Sequence, residues 1–324
     1  MAACRVLGQK ASISVVANDW DRKDLLGLET LSAKELELIL DAAEPFAADP
    51  RSRAETLSGR SVAFVFSEPS TRTRSSFEAA ARRLGADILG FSAVSSSAAK
   101  GESLLDTIRN LEAVGAEYFV VRHEVSGVLE PLAARVGSSL LNAGDGFHEH
   151  PTQALLDAFT LRRKKGGVKG LKVVILGDIL HSRVARSNIH ALKALGARVT
   201  VCGPASLIPK GIEKMGARVS HDLDAALADA DAVNVLRLQL ERQSQNLIAS
   251  LPDYTRRYGL TEARLASRPE LLVMHPGPIN RGVELASAVA DGPQSAILEQ
   301  VANGVAVRMA VLQLLASWRE RNAR

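Results

Sequence analysis

The chain has 324 residues, of which 46% are hydrophobic and 4% aromatic, with 40 basic and 36 acidic side chains and a net charge of +4. This length favours two domains of ordinary size, and the apolar content can supply a core for each. Few aromatic residues and dispersed charges argue against a nucleic-acid surface built on base stacking. With no signal-peptide core, no membrane-spanning run and only Cys4 and Cys202 as cysteines, we expect a cytoplasmic protein with reduced thiols that binds no membrane.

Short apolar runs alternate with helix-like segments along the chain. The runs that indicate buried strands are residues 61–66, 86–91, 118–122, 139–142, 171–177, 198–202, 232–236 and 271–275. Such alternation is typical of parallel sheets whose strands are connected by crossover helices. A change of unit is expected near residues 151–170, and residues 294–324 predict a last helical region that could pack on either half.

The first unusual motif is the run Ser-Thr-Arg-Thr-Arg at residues 70–74, just after the first strand. Beyond it, apolar residues recur at helical spacing, namely Phe77, Ala80, Ala81 and Leu84. The motif therefore lies at a helix N-terminus, where unpaired N–H groups and the helix dipole attract anions. Ser70 or Thr71 is expected to cap the helix, and the arginines could simply be solvated. Three hydroxyls and two guanidinium groups exceed that need, so we predict a phosphate site.

Polar side chains follow several of the predicted strands at the points where the strands end. They are Arg122, His123, His148, His150, His181, Arg183, Arg237, Gln239 and His275. The carboxyl ends of parallel strands meet at one edge of a sheet, where ligands of open α/β folds bind. Because most of these side chains are cationic or donate hydrogen bonds, the set predicts an anion-binding cleft.

The remaining motifs narrow the chemistry. The histidines lack the spacings of zinc sites, so we expect no metal. Gly177 stands alone where a dinucleotide fingerprint needs three glycines, which disfavours a nicotinamide cofactor. No Gly-x-Ser-x-Gly elbow surrounds Ser70, and neither cysteine has a catalytic setting. We therefore expect transfer of a group between bound anions, without a cofactor.

Four motifs in combination resemble the aspartate/ornithine carbamoyltransferase family across residues 25–315. They are residues 70–74 with Ser76-Phe77-Glu78, His150-Pro151-Thr152-Gln153, Gly177-Asp178 with Arg183, and His275-Pro276-Gly277-Pro278. The resemblance implies an α/β fold of two domains, each a mainly parallel sheet flanked by helices. It assigns residues 1–152 to carbamoyl phosphate binding, with a C-terminal helix 295–324 packed back on them, and residues 153–294 to aspartate binding.

The aspartate branch of this family transfers the carbamoyl group of carbamoyl phosphate to the L-aspartate amine, the committed step of pyrimidine biosynthesis, and the resemblance implies that reaction here. The implied carbamoyl phosphate ligands are Ser70, Thr71, Arg72, Thr73, Arg122, His150, Gln153 and Ser96. Residues 70–73 would hold the phosphate, Arg122, His150 and Thr73 would donate to the carbonyl oxygen, and Gln153 would hold the carbamoyl NH2 group. The implied catalytic set is His150, Arg122, Thr73, Arg72 and Lys100.

Aspartate carries two carboxylates, so two cationic groups are expected to meet it. The implied aspartate ligands are Lys100, Arg183, Arg237, Gln239, Gly277 and Pro278. Arg183 would bind the α-carboxylate, while Arg237 and Gln239 would take the side-chain carboxylate. The backbone carbonyl of Gly277 would face the substrate amide or amine.

The resemblance also carries expectations about assembly. The segment rich in Ser, Ala and Gly at residues 95–101 matches a loop that reaches into the neighbouring subunit's site with Ser96 and Lys100. A homotrimer with shared active sites is therefore implied. Residues 274–284 resemble relatives that associate with dihydroorotase-like chains, whereas others join zinc-containing regulatory chains or stay free trimers, and the sequence leaves these open.

Three other functions compete with this interpretation. The ornithine branch carries His-Cys-Leu-Pro where this chain has Pro276 in place of the cysteine, and Arg237 with Gln239 suits an anionic side chain better. A dinucleotide oxidoreductase would need glycines that are absent around Gly177. A noncatalytic assembly subunit would be expected to have lost Arg122, His150, Arg183 or Arg237, all of which are present.

Overall fold

The structure, a computed structural model, describes residues 19–90, 102–239 and 247–322. It divides into two compact units, the first formed by the chain up to Leu155 together with the chain from Val301 onward, and the second by Leu156–Gln300. Each unit contains a parallel sheet flanked by helices, so the predicted two-domain α/β fold is confirmed. The functional domain boundaries after residues 152 and 294 stay a prediction.

The first unit is organised by a four-stranded sheet in the order β2-β1-β3-β4, in which every pairing is parallel. Its strands are β1 (Ser61–Phe66), β2 (Asp87–Leu89), β3 (Ala116–His123) and β4 (Ser139–Asp145). The central residues of β1 are apolar and buried without alternation, as expected where helices cover both faces of a parallel sheet. Phe66 pairs with Arg122 and His123 with Asp145, so these strand ends share one edge.

The helices of the first unit follow the predicted alternation. They are α1 (Ala33–Ala48), α2 (Thr71–Arg83), α3 (Leu104–Val114), α4 (Glu130–Ala133), the start of α5 (Pro151–Lys165) and most of α11 (Ile297–Asn322). A capping box begins α1, since the Ser32 hydroxyl accepts the Glu35 N–H and the Glu35 carboxylate accepts the Ser32 N–H. The predicted apolar stripe of α2, which includes Phe77 and Ala81, is buried. The predicted helix is thus confirmed, and it begins at Thr71, within the Ser-Thr-Arg-Thr-Arg motif.

The second unit contains a five-stranded parallel sheet in the order β7-β6-β5-β8-β9. Its strands are β5 (Lys172–Leu176), β6 (Arg198–Cys202), β7 (Arg218–Ser220), β8 (Ala232–Val235) and β9 (Leu272–Met274). The chain starts at β5 in the centre, moves outward on one side, and then crosses to β8 on the other. The reversal of strand order opens a crevice at the carboxyl ends of β5 and β8, where ligands of such folds bind.

Helices cover the sheet of the second unit. They are the remainder of α5, then α6 (Arg183–Ala194), α7 (Leu223–Leu227), α8 (Leu251–Tyr258), α9 (Glu262–Leu265) and α10 (Ser287–Ala290). Strand β6 ends in Cys202, a free and fully buried cysteine. Burial raises the pKa of this thiol to about 12. Cys202 is thus a free thiol in the structure, Cys4 lies outside the described residues, and the expectation of reduced thiols stays a prediction.

The C-terminal helix α11 packs on the first unit, as predicted. The Arg308 guanidinium lies 4.9 Å from the centroid of the Phe77 ring, and Arg319 donates a hydrogen bond of 2.8 Å to the Gly137 carbonyl. Within the described residues, α11 is the one helix long and apolar enough by composition to cross a membrane, but 67% of its most apolar 18-residue window is buried inside the protein. This burial is that of a core helix.

We expect Phe77→Ala to destabilise the first unit by about 3–5 kcal/mol, because the ring is fully buried and its loss leaves a cavity between α2 and α11. Urea unfolding followed by circular dichroism measures the change. Val114→Ala is the control, since this side chain is 71% exposed and should change stability by no more than about 0.5 kcal/mol. Equal effects of the two substitutions would contradict the packing described.

Candidate active site

The predicted phosphate site lies at the N-terminus of α2. Ser70 occupies the N-cap position, but its side chain makes no capping hydrogen bond. The expectation that the hydroxyl of Ser70 or Thr71 caps the helix is therefore wrong, since Ser70 makes no such hydrogen bond and Thr71 is already the first helical residue. Thr71 and Arg72 are exposed beside it. Open N–H groups, a hydroxyl and a guanidinium at a helix N-terminus suit an anion with several oxygens.

Thr73 and His150 form the buried part of this site. The Thr73 Oγ1 lies 3.4 Å from the His150 Nε2, and the two residues are only 7% and 4% exposed. Local sequence explains the position of His150, since Pro151 begins α5 directly after it. The His150 carbonyl accepts the Gln153 N–H at 3.0 Å. Gln153 is also buried. The structure thus brings three of the predicted carbamoyl phosphate ligands to one place.

Arg122 lies at the carboxyl end of β3. Its Nε lies 3.3 Å from a carboxylate oxygen of Glu68, and its Nη1 donates to the Ala143 carbonyl at 3.3 Å. The guanidinium is largely buried, with only 15% of the side chain exposed. These contacts orient the Arg122 guanidinium before any ligand binds. An anion that binds Arg122 would interact with the same guanidinium as Glu68.

Asp145, which the sequence did not single out, organises the turn before His150. Its carboxylate accepts hydrogen bonds from the Asn142 amide, the Gly127 N–H and the Glu149 N–H, and lies 2.9 Å from the His148 Nδ1. Burial alone would raise the pKa of the Asp145 carboxyl, but these hydrogen bonds hold it below its usual value. The hydrogen bond to Asp145 in turn raises the pKa of His148 to about 9.

Glu149 is a second buried acid that the sequence analysis missed. It is 1% exposed, and its Oε1 accepts the Leu28 N–H at 2.8 Å and the Glu29 N–H at 3.2 Å. This carboxylate therefore fastens the segment before α1 to the turn that carries His150. No motif in the sequence predicts this role of Glu149, because its partners are main-chain groups more than a hundred residues away.

In the second unit, Arg183 and Gln239 lie near the carboxyl ends of β5 and β8. Arg183 is the first residue of α6 and is 5% exposed, after the N-cap Ser182. Gln239 donates its Nε2 to the His181 carbonyl at 3.0 Å, which ties the segment after β8 to the segment before α6. Arg237, two residues before Gln239, is half-buried.

The single glycine of the second unit's first turn has a steric explanation. Gly177 has a φ of +124°, and a Cβ there would lie 2.9 Å from the Leu236 carbonyl oxygen. The glycine is required by the close approach of the chain after β8. It needs no dinucleotide to explain it.

The loop after β9 holds the remaining predicted aspartate ligands. The Gly277–Pro278 peptide bond is cis, and Gly277 has a φ of +66°, a conformation that favours glycine. The His275 Nδ1 accepts the Gly277 N–H at 2.7 Å. Since a backbone N–H only donates, this contact requires the other ring nitrogen to carry the proton in neutral His275.

The structure thus separates the predicted ligands into two sets, each within one unit. The first set is Ser70, Thr71, Arg72, Thr73, Arg122, His150 and Gln153, and the second is Arg183, Arg237, Gln239, Gly277 and Pro278. Ser96 and Lys100 lie outside the described residues. The roles of all these side chains toward substrates stay predictions. Chemically, the first set offers donors for a phosphate and a carbonyl oxygen, and the second offers cations and backbone polar groups.

Two parallel α/β units with predicted anion ligands near their strand ends match one family of known proteins. Residues 23–163 match the domain described as aspartate/ornithine carbamoyltransferase, carbamoyl-P binding domain, and residues 169–315 match the Asp/Orn binding domain of the same family. The chain belongs to the aspartate/ornithine carbamoyltransferase family. The family resemblance drawn from the motifs is therefore confirmed.

Several individual proteins and solved structures are similar to this chain along most of its length. The chain is 56% identical over 298 residues to the aspartate carbamoyltransferase catalytic subunit of Moorella thermoacetica, covering 91% of this chain and 97% of that protein. It is 54% identical over 297 residues to the protein of the same name from Endomicrobium trichonymphae, covering 90% and 95%. Among solved structures, aspartate transcarbamoylase from Trypanosoma cruzi in complex with N-(phosphonacetyl)-L-aspartic acid superposes with a TM-score of 0.83 at 30% identity, covering 91% and 96%.

We expect the His148–Asp145 pair to stabilise the protein in a defined pH window. Folding raises the pKa of His148 to about 9. The stability contributed by protonated His148 is therefore fully present below its pKa in the unfolded chain, near 6.5, and is lost as the pH rises through about 9. Folding lowers the pKa of Asp145. The stability contributed by the Asp145 carboxylate is therefore present above its pKa in the unfolded chain, near 3.8, and is lost as the pH falls through the pKa in the folded chain.

His148→Gln should therefore cost stability, on the order of 1 kcal/mol, at about pH 5 to 6, with the difference from the wild type shrinking toward about pH 9. Thermal melts of both proteins across this range measure the difference. The most alkaline point serves as the internal control. A difference that stays constant with pH would contradict the charged pair.

Proposed function

We propose that the chain catalyses transfer of the carbamoyl group from carbamoyl phosphate to the amine of L-aspartate, giving N-carbamoyl-L-aspartate and phosphate for pyrimidine biosynthesis. The observation that carries the proposal is the buried contact between Thr73 and His150 beside the uncapped N-terminus of α2. The relatives support it as well. Those from Moorella and Endomicrobium are named aspartate carbamoyltransferase catalytic subunits, and the enzyme from Trypanosoma cruzi has been solved with carbamoyl phosphate and aspartate.

The phosphate of the donor substrate fits the open first turn of α2. The Ser70 hydroxyl, which is not used in capping, and the backbone N–H groups of the turn provide donors for its oxygens. The exposed Arg72 adds charge and a planar pair of donors. Phosphate leaves as a stabilised anion when these donors are already in place.

The carbonyl oxygen of the donor becomes more negative as the amine attacks. Thr73 and His150, which are buried together, and Arg122, which is oriented by Glu68, are placed to donate to that oxygen. Donors fixed before the reaction stabilise developing charge more effectively than mobile water does. Gln153 holds the carbamoyl NH2 group through its side-chain amide.

L-Aspartate is bound by the second unit through its two carboxylates. Arg183, nearly buried at the start of α6, meets the α-carboxylate. Arg237 and Gln239 take the side-chain carboxylate, and Gln239 is held in place by its hydrogen bond to the His181 carbonyl. Guanidinium groups that pair with carboxylates give geometric selectivity for an acidic amino acid over a cationic one.

The reaction proceeds by addition and elimination. The aspartate nitrogen forms a bond to the carbamoyl carbon, and the carbon–oxygen bond to phosphate then breaks with its electron pair leaving on phosphate. The departing phosphate accepts the proton of the attacking amine. The chain therefore contributes orientation and electrostatic stabilisation, and no cofactor takes part in the proposed step.

Assembly and location form part of the proposal. A homotrimer in which Ser96 and Lys100 of one subunit complete the site of its neighbour is supported by the motif resemblance and by the family to which the chain belongs. A dihydroorotase-like chain or a regulatory chain can join such trimers. A cytoplasmic location agrees with the free thiol of Cys202.

The first experiment measures carbamoyl aspartate formation from carbamoyl phosphate and L-aspartate, with L-ornithine as the competing acceptor. We expect product from aspartate only. His150→Ala should lower kcat by about 10²–10³, since it removes a donor to the carbonyl oxygen. Arg237→Ala should instead raise the KM for aspartate by about tenfold or more, because it removes a charge-assisted pair, while leaving the KM for carbamoyl phosphate nearly unchanged.

Two results would contradict the proposal. Product from ornithine would move the chain to the other branch of the family. A folded protein without product from either acceptor would show that the chain is a noncatalytic subunit. Val114→Ala, whose side chain is exposed on α3, serves as the control that should match the wild type.

Shared active sites can be tested by coexpressing two inactive variants, Lys100→Ala and His150→Ala. If Lys100 acts in the neighbour's site, each mixed trimer contains one site with both residues intact, and activity returns. The matched control coexpresses His150→Ala with Arg122→Ala. Both residues belong to the first unit and would act in the site of their own subunit, so every site of a mixed trimer lacks one of them and should stay inactive. Failure of the first mixture to regain activity in trimers shown to be mixed would rule out the shared site.

A further inference from the structure

Asp157 is a fully buried carboxylate on α5 that has no role in the proposed reaction. Its Oδ2 accepts hydrogen bonds from the Asn188 Nδ2 at 2.8 Å and the Asn234 Nδ2 at 2.9 Å. Its Oδ1 accepts the Gln300 Nε2 at 2.7 Å. All four residues belong to the second unit. Burying a carboxylate costs free energy unless hydrogen bonds compensate it, and here three side-chain amides do so.

The direction of each of these hydrogen bonds is determined by chemistry. Each of these oxygens accepts from an amide nitrogen, so all three amides turn their NH2 groups toward Asp157. The Gln300 Oε1 then faces the other way and accepts the His275 N–H at 2.9 Å. That backbone group only donates, so the orientation of the Gln300 amide is specified from both sides. The Gln300 side chain thus connects the Asp157 carboxylate to the backbone at His275.

Each amide partner anchors a different segment of the predicted aspartate site. Asn188 lies on α6, the helix that begins with Arg183. Asn234 lies on β8, just before the segment that carries Arg237. Gln300 holds the start of the loop with Gly277 and Pro278. These three segments are distant in sequence, and one carboxylate connects them.

We propose that Asp157 is a positioning residue that holds the three aspartate-binding segments in their relative places. The inference rests on the proposed function for its kinetic consequence. Loss of the carboxylate should weaken the use of L-aspartate, while the carbamoyl phosphate ligands, which belong to the other unit, keep their arrangement. The effect is therefore specific to one substrate.

The test moves the carboxylate from position 157 to position 300. In Asp157→Asn, the new side chain has one acceptor oxygen where the carboxylate had two. Its NH2 group then faces either the NH2 of Gln300 or those of Asn188 and Asn234, and turning the Gln300 amide instead would place its NH2 against the His275 N–H. In Gln300→Glu, two carboxylates face each other. The double variant, which combines both substitutions, reverses the polarity of the hydrogen bond between the two positions. Its new amide at position 157 donates to the new carboxylate at position 300, which still accepts the His275 N–H.

We expect each single variant to raise the KM for L-aspartate by about tenfold or more, with the KM for carbamoyl phosphate within about twofold of the wild type. The double variant should return the aspartate KM to within about threefold of the wild type. Asn188→Ala, which removes one partner and keeps the carboxylate, is a milder second variant and should shift the same constant by less.

A second readout does not depend on activity. Hydrogen exchange at the His275 amide, measured on peptides that span β9 and the following loop, should accelerate in Asp157→Asn and return toward the wild-type rate in the double variant. Asp231→Asn is the matched control. Asp231 accepts the Lys172 N–H at the opposite end of β5, so its loss perturbs the same sheet without changing the aspartate KM.

The outcomes separate the two proposals. A wild-type protein that forms no carbamoyl aspartate overturns the proposed function, and the exchange rate at His275 still decides whether Asp157 positions the loop. The positioning role is overturned if the two KM values rise together, if Asp231→Asn changes the aspartate KM as much as Asp157→Asn, or if the double variant is no better than either single one.

Discussion

Parallel strand direction is the constraint on which both units depend. When all strands of a sheet run the same way, every strand ends at the same edge, and each connection must cross a face of the sheet as a helix or loop. The faces then require apolar side chains, which is why β1 and β5 are buried almost throughout. Polar groups are left to the edge, where helix N-termini supply unpaired N–H groups.

Buried carboxylates join the segments that follow the strand ends. Asp145 in the first unit and Asp157 in the second each accept several hydrogen bonds from neighbouring segments. A carboxylate provides several acceptor positions at one point, so it can join chain segments that are unrelated in sequence. Loops held in this way carry polar ligands in fixed geometry without a rigid secondary structure of their own.

Much of the fold followed from local patterns. The strand runs were long enough and apolar enough to identify, and β6 matches its predicted range, whereas β7 was missed because its three residues are only partly buried. The site residues were predicted where a motif combined several unusual side chains, as at residues 70–74. Asp145, Glu149 and Asp157 were not predicted, because a buried carboxylate is recognised only by the groups that donate hydrogen bonds to it. For Glu149 and Asp157 those groups lie far away in sequence. For Asp145 they belong to its own turn and to Gly127, and no motif marks them.

The buried cysteine of the second unit offers a way to follow local unfolding of that unit. Cys202 is fully buried at the end of β6, and burial raises the pKa of its thiol to about 12. The thiolate is the nucleophile that attacks an alkylating reagent, so a buried thiol with a raised pKa reacts slowly in the folded chain at neutral pH. Modification at Cys202, resolved from Cys4 by peptide mass, therefore reports the moments when the central sheet of the second unit is open to solvent. The chain thus contains its own probe of local unfolding, without any introduced label.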